Sequence, residues 1–157
     1  MKTSQFLGSD HITILDNTIQ SEEQKLQGHQ ELVNFPSTAE VFRAVFENSF
    51  YANCIGNGHG KTLEANEKIC KIFGYTEEEM LQLSTKEIFD TTEINYTAYL
   101  CQRESNGKAK AIVTAIRKNG ERFLCAVSTV IFTDDNGEIR TINTLQDVSK
   151  KYAGAAY

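Results

Sequence analysis

Two Asn-Gly pairs, Asn119-Gly120 and Asn136-Gly137, constrain the last third of this chain more than any other feature. Each lies between segments of alternating apolar residues, and Asn-Gly supplies the positive φ angles that a tight two-strand reversal needs. Lys110 to Arg117, Arg122 to Phe132 and Glu138 to Gln146 therefore read as three strands joined by turns at 118–121 and 134–137. Alternation puts Phe123, Cys125, Val127 and Thr129 on one face of the long middle strand. Leu124, Ala126 and Val130 fall on the other face, which is more apolar than a solvated surface requires.

The middle of the chain is mixed. Ser37 can cap a helix, Glu40 completes a capping-box pattern, and Val41, Val45 and Phe46 form that helix's apolar face. Tyr51 to Ile55 reads as a strand, the glycine-rich 56–60 as a turn, and Lys61 to Ala65 as a second strand. Gly60-Lys61-Thr62 matches the end of a phosphate-binding loop, but Ile55 stands where that loop needs a glycine, so Lys61 reads as a turn lysine. A short helix carrying Ile69, Ile72 and Phe73 follows and stops at Gly74-Tyr75. Thr76 caps a second one, whose first turn holds Glu77 to Glu79, favourable for the helix dipole. Thr92 to Arg103 contains a longer helix with Ile94, Tyr96, Tyr99 and Leu100. Two strands, short helices, a helix and three strands predict an α+β domain: an antiparallel sheet with helices on one face.

Composition narrows the function. A chain of 157 residues holds one domain and a modest extension, and 40% hydrophobic residues support a core. The net charge of −5 and the lack of a Lys/Arg cluster exclude a nucleic-acid footprint. The apolar runs are too short to insert in a bilayer, and MKTSQFLGSD lacks the apolar centre of a secretory signal, so a cytoplasmic protein is expected. Cys54, Cys70, Cys101 and Cys125 have no CxxC spacing and read as reduced core thiols. All three His lie at or before His59, so no metal site is expected.

Residues 1–36 form a separate segment. Ile12, Leu15, Ile19, Leu26 and Val33 share one helical stripe, with Glu22 and His29 in the remaining seam positions. Gly28 weakens this helical arm by about 1 kcal/mol relative to Ala. Two readings stay open: an amphipathic helix lying on its own domain, or a dimer seam. A symmetric homodimer would bury that stripe together with Leu124 and Val130.

Four segments carry a family resemblance. They are Leu63-Glu64-Ala65-Asn66, the run from Phe73-Gly74-Tyr75 to Leu81, the hairpin Arg117-Lys118-Asn119-Gly120-Glu121-Arg122-Phe123, and Gln146-Asp147-Val148-Ser149-Lys150-Lys151. In this order they resemble the PAS domain, a sensor module of bacterial signalling proteins. The resemblance implies a PAS fold over 37–151: a five-stranded antiparallel sheet with short helices on one face, preceded by the arm and followed at 152–157 by the start of a linker. The fourth segment looks like the Asp-Ile-Thr ending of PAS domains. Asp147 is then the signal junction, where the domain passes to a helix leading to an output domain in the same or another chain, as in a sensor histidine kinase. A chain ending soon after such a junction is expected to be a domain of something longer.

The resemblance also implies a pocket on the inner sheet face. Phe123, Cys125, Val127, Asn143 and Leu145 would line it, with Tyr96 and Tyr99 opposite and Asn143 as the polar anchor for a small organic ligand. The alternative is that these residues simply fill the core. Photoactive flavin members carry a reactive Cys after the Gly-Tyr segment. Here Leu83-Ser84-Thr85-Lys86-Glu87-Ile88 has no thiol, and Leu145 replaces the flavin-contacting Gln. Haem members use a His of the long helix, and none follows His59. Cys101 as a haem thiolate is less plausible than as inert packing. Neither flavin nor haem is expected. The function implied is a sensor or dimerisation module, with a stand-alone ligand-binding protein as the alternative. An enzyme is disfavoured, because Cys125 and Thr129 have no His, Asp or Glu beside them on the pocket strands.

Overall fold

The structure is a computed structural model that describes residues 36–154. Ile12, Leu15, Ile19, Leu26 and Val33 of the expected arm lie outside the described residues. The chain divides into two compact units, Met1–Val41 and Phe42–Tyr157. The elements are α1 (Thr38–Glu47), β1 (Ala52–Asn57), β2 (Thr62–Ala65), α2 (Glu67–Phe73), α3 (Glu77–Met80), α4 (Thr85–Ile88), α5 (Ile94–Asn106), β3 (Lys108–Ile116), β4 (Arg122–Thr133), β5 (Ile139–Asp147) and α6 (Ser149–Tyr152).

The five strands form one antiparallel sheet in the order β2-β1-β5-β4-β3. The last strand is thus central, paired with β4 through its hairpin and with β1 across the domain. Side chains brace the turns: Asn119 Oδ1 accepts from the Glu121 amide, and Asp134 Oδ1 from the amides of Asn136 and Glu138. At the β3 edge, Glu93 accepts from the Thr114 amide at 3.0 Å and its hydroxyl at 2.5 Å, and Gln102 accepts from the Lys110 amide at 3.3 Å. These contacts occupy donors that would otherwise invite another strand.

The short helices begin and end where local chemistry dictates. In α1 the Ser37 amide donates to Glu40 Oε2 at 2.7 Å, and Ser37 Oγ accepts from the Glu40 amide at 3.2 Å. Thr76 and Glu79 form the same reciprocal pair at α3. Gly74 ends α2 at φ +79°, with its amide bonded to Cys70 O at 2.8 Å. The sequence reading omitted α4, although Ser84 and Glu87 have capping-box spacing and bond at 2.6 Å through the Ser84 amide.

Asn66 caps α2 and does more. It is fully buried, and its Oδ1 accepts from the amides of Ile69 at 3.1 Å and Asn53 at 3.0 Å. Its Nδ2 donates to Phe46 O at 2.9 Å and Tyr51 O at 3.0 Å. One side chain thereby ties α1, β1 and α2 together with its full hydrogen-bonding capacity. Beneath it the core is aromatic: the Phe73 ring centroid lies 5.4 Å from that of Phe123 and 6.4 Å from that of Phe89, both edge-on.

The faces of β4 follow the alternation. Phe123, Cys125, Val127 and Thr129 are buried, while Leu124 and Val130 on the outer face are exposed. Cys54 and Cys125 are buried and Cys70 is half-buried, but Cys101 is exposed on α5, correcting its assignment to the core. The helical period turns it away from the face that carries Tyr96 and Tyr99.

Candidate functional site

A cavity of about 30 Å³ lies between the β1–β5 half of the sheet and the helices α4 and α5. Cys54 and Gly56 come from β1, and Thr141, Asn143 and Leu145 from β5. Tyr96 and Tyr99 face them from α5, and Thr85 and Ile88 from α4. Lys61 and Arg103 also line it.

Backbone contacts hold the α4 wall in place. The Thr85 amide donates to Gly60 O at 3.0 Å, the Thr62 amide donates to Leu83 O at 3.4 Å, and Lys61 and Ser84 form an isolated bridge. Gly60 has φ +86°, and a Cβ there would lie 2.8 Å from Thr85 Oγ1, so both conformation and space require glycine.

A directed polar relay crosses the cavity wall. Asn143 Oδ1 accepts from the Thr129 hydroxyl at 2.6 Å. That uses the only hydroxyl proton of Thr129, so the Tyr99 hydroxyl, hydrogen-bonded to Thr129 Oγ1, is the donor in its own pair. Asn143 Nδ2 donates to Thr141 Oγ1 at 3.2 Å and, at 3.5 Å, to Cys54 O. Burial raises the Tyr99 hydroxyl above its ordinary pKa, partly offset by the Thr129 hydrogen bond. Burial likewise pushes the Cys54 and Cys125 thiols up to about 12, which keeps both protonated.

Five of the seven expected pocket residues, Val127, Asn143, Leu145, Tyr96 and Tyr99, line this cavity. Phe123 and Cys125 do not. The Phe123 ring packs against Phe73, with the Arg117 guanidinium 4.0 Å from its centroid, and Cys125 sits between Val113 and Asp147 in the sheet register. Alternation identified their face but not their position along it. Tyr96 takes no part in the relay, its ring lying between those of Phe89 and Tyr99. Thr129 is the link the sequence reading did not assign, although it had the right face. Thr62, Thr85 and Arg103 were missed, and Lys61 was dismissed as a turn residue.

Asp147 lies at the end of β5, on the same face as Thr141, Asn143 and Leu145. Its Oδ1 accepts from the Ser149 amide at 2.9 Å, and its Oδ2 pairs with Arg117 Nη2 at 2.5 Å. Arg117 also donates from Nη1 to Ile72 O at 2.5 Å and pairs through Nε with Glu121 at 3.2 Å. Burial works to raise the Asp147 pKa, but the Ser149 amide and the Arg117 guanidinium outweigh it and hold the carboxyl below its ordinary range.

This sheet order, with a helix-walled inner face and an acidic strand end leading into a helix, defines a PAS-type α+β module. The chain belongs to the PAS domain family, whose model matches residues 51–150. Solved structures with the same fold include a PAS domain from a two-component sensor histidine kinase, at 13% identity and TM-score 0.60, covering 69% of this chain and 94% of that one. A PAS domain of a protein from Colwellia psychrerythraea aligns at 16% identity and TM-score 0.65, covering 73% and 99%. A domain of a sensory box sensor histidine kinase/response regulator from Geobacter sulfurreducens aligns at 22% identity and TM-score 0.57, covering 69% and 93%. At these identities the likeness concerns the fold. No curated protein matches the sequence. Among the described residues no helix is long and apolar enough to cross a membrane, and no group of three or more His, Cys, Asp or Glu side chains could hold a metal ion.

Proposed function

We propose that this PAS domain is a cytoplasmic sensor module of a signal-transduction protein. It takes a small ligand in the β1–β5 cavity and passes the change through Asp147 to an output domain. The observation that carries this reading is the inner face of β5. Thr141, Asn143 and Leu145 line the cavity at every second residue, and Asp147 is the next on that face. A shift of β5 at the cavity therefore acts on the Arg117–Asp147 pair and on the start of α6. The family and the sensor histidine kinase neighbours support the signalling role.

The reading includes no catalysis and no flavin or haem. The cavity thiol, Cys54, is held protonated, and no carboxylate or His accompanies it among the lining residues. A volume near 30 Å³ is far below the roughly 300 Å³ at which ordinary cofactor pockets begin. The exposed Leu124 and Val130 support a homodimer that covers the outer sheet face.

The test perturbs the far wall of the cavity and observes the junction. Thr62→Ile fills space from β2, which two strands, β1 and β5, separate from β4. In amide NMR spectra of the full chain, the Val148 and Ser149 signals are expected to move, with those of the distant Asp135–Asn136 turn unchanged. If Val148 and Ser149 stay in place while the cavity residues shift, the cavity is not coupled to the exit and the sensor reading fails. Native mass spectrometry of the same sample reports any co-purified small molecule and the oligomeric state.

A further inference from the structure

Resting on the sensor reading above, we propose that the cavity takes short-chain monocarboxylates, with the hydrocarbon tail inside and the carboxylate held by Lys61 and Arg103.

The interior selects hydrocarbon. Tyr99, Thr129, Asn143 and Thr141 spend their polar atoms on one another and on Cys54 O. Among the described residues, no buried side-chain nitrogen or oxygen lacks a partner. A polar group pushed against Tyr99, Thr141 or Asn143 would have to break that relay, and the Thr62 and Thr85 hydroxyls are the polar lining outside it. An alkyl group meets Ile88, Phe89, Val127 and Leu145 without loss.

The size sets the length of the tail. One water-sized sphere takes about 10–15 Å³ of such volume, so about 30 Å³ admits two or three non-hydrogen atoms. A propyl group fits this limit. A ring, a long acyl chain or a tricarboxylate does not.

The charged lining residues select the head group. Lys61 and Arg103 line this cavity and no carboxylate does. Lys61 has no ion-pair partner among the described residues. Arg103 binds Glu104 Oε1 through Nε at 3.2 Å and Nη2 at 2.8 Å, which leaves Nη1 unused. Its side chain is only 15% exposed while that of Glu104 is 68% exposed, so the guanidinium is held in a partly desolvated place that strengthens its attraction for an anion. Two cations and no carboxylate among the lining residues, in a chain of net charge −5, favour an anionic head and repel an amine.

The experiment is a titration of the full chain with sodium butyrate, followed by amide NMR at constant ionic strength, with 1-butanol, butylamine and citrate as comparison probes. Butyrate is expected to shift the Leu145, Tyr99 and Thr62 signals and to bind at least tenfold tighter than 1-butanol. Butylamine and citrate are expected not to compete. Arg103→Gln and Lys61→Gln should each weaken butyrate about tenfold, the ratio that a lost charge-assisted hydrogen bond gives, and leave 1-butanol unchanged. Equal binding of butyrate and 1-butanol, tighter binding of citrate, or no binding of butyrate overturns the proposal. The Thr62→Ile experiment separates the two ideas. If butyrate fails while Thr62→Ile still moves Val148 and Ser149, the ligand class is wrong and the sensor reading stands. If butyrate binds without moving Val148 and Ser149, the site is right and the sensor reading fails.

Discussion

Asn66 and Asn143 are the same residue put to opposite uses. Asn66 binds four main-chain groups from three segments, none of which can move without moving the chain. Asn143 binds mainly the hydroxyls of Thr129 and Thr141, and its one main-chain bond, to Cys54 O, is long at 3.5 Å. Hydroxyls can rotate and exchange donor for acceptor. The difference separates a region built to be fixed, around α2 and Phe73, from one able to rearrange, around the cavity. It also changes the role expected for Asn143. The amide is already satisfied inside the protein, so it acts as part of the wall and is not an empty anchor awaiting a ligand.

The largest effect tests the fixed region. Asn66→Ala leaves four main-chain groups without their partner, and with about 1–3 kcal/mol for each buried group left unmade, less what water recovers, a loss of about 4 kcal/mol is expected. Urea unfolding at pH 7 measures it. A loss below 1 kcal/mol would show that the clamp is not what fixes this end.

The next effect lies between the two regions. Arg117 joins Asp147 to Ile72 O and covers the Phe123 ring. Arg117→Lys keeps the charge but cannot hold both contacts or stack on the ring, so about 2 kcal/mol should be lost. The Ser149 amide should also exchange faster with solvent. If stability falls but Ser149 exchange does not change, Arg117 supports the core without holding the junction.

Asn143→Leu should cost only about 1 kcal/mol, because the Thr129 hydroxyl can turn and donate to Tyr99 when its acceptor is removed. A loss near that of Asn66→Ala would erase the distinction between the two asparagines.

Much of the fold was legible because local chemistry decides it. The Asn-Gly turns, the Ser37–Glu40 and Thr76–Glu79 caps, and Gly74 after α2 each need only neighbours within a few residues. The inner face of β4 was legible for the same reason, since alternation is a property of the strand itself. Position along that face was not. Phe123 and Thr129 obey one alternation, yet one is packed beneath Phe73 and the other belongs to the relay. What separates them is where α2 and α5 cross the sheet, which depends on contacts between distant residues. Lys61 and Arg103 were illegible for a similar reason, being far apart in sequence and joined only by the cavity. The capping spacing of Ser84 and Glu87 was visible and would have revealed α4.

The smallest effect concerns pH and isolates the junction from both asparagines. Neither amide titrates, so neither asparagine gives stability a pH dependence of its own. Asp147 does, because its carboxyl in the folded chain lies below the ordinary value of 3.8. A group with a depressed folded pKa contributes stability that is fully present above its unfolded pKa and is lost as pH falls through the folded one. Asp90 behaves in the same way: its bonds from the Thr92 hydroxyl, Arg122 and the Thr92 amide hold it at about 2. The difference in urea midpoint between the wild type and Asp147→Asn should therefore be constant from pH 7 to about 5 and shrink from there toward pH 2. Asp90→Asn should show the same trend, with its last loss near pH 2. Both are partly open to solvent, so added salt should reduce each effect. A difference for Asp147→Asn that stays constant down to pH 2 would mean that its charge contributes nothing, and that the junction is held by the shape of the β5–α6 turn alone.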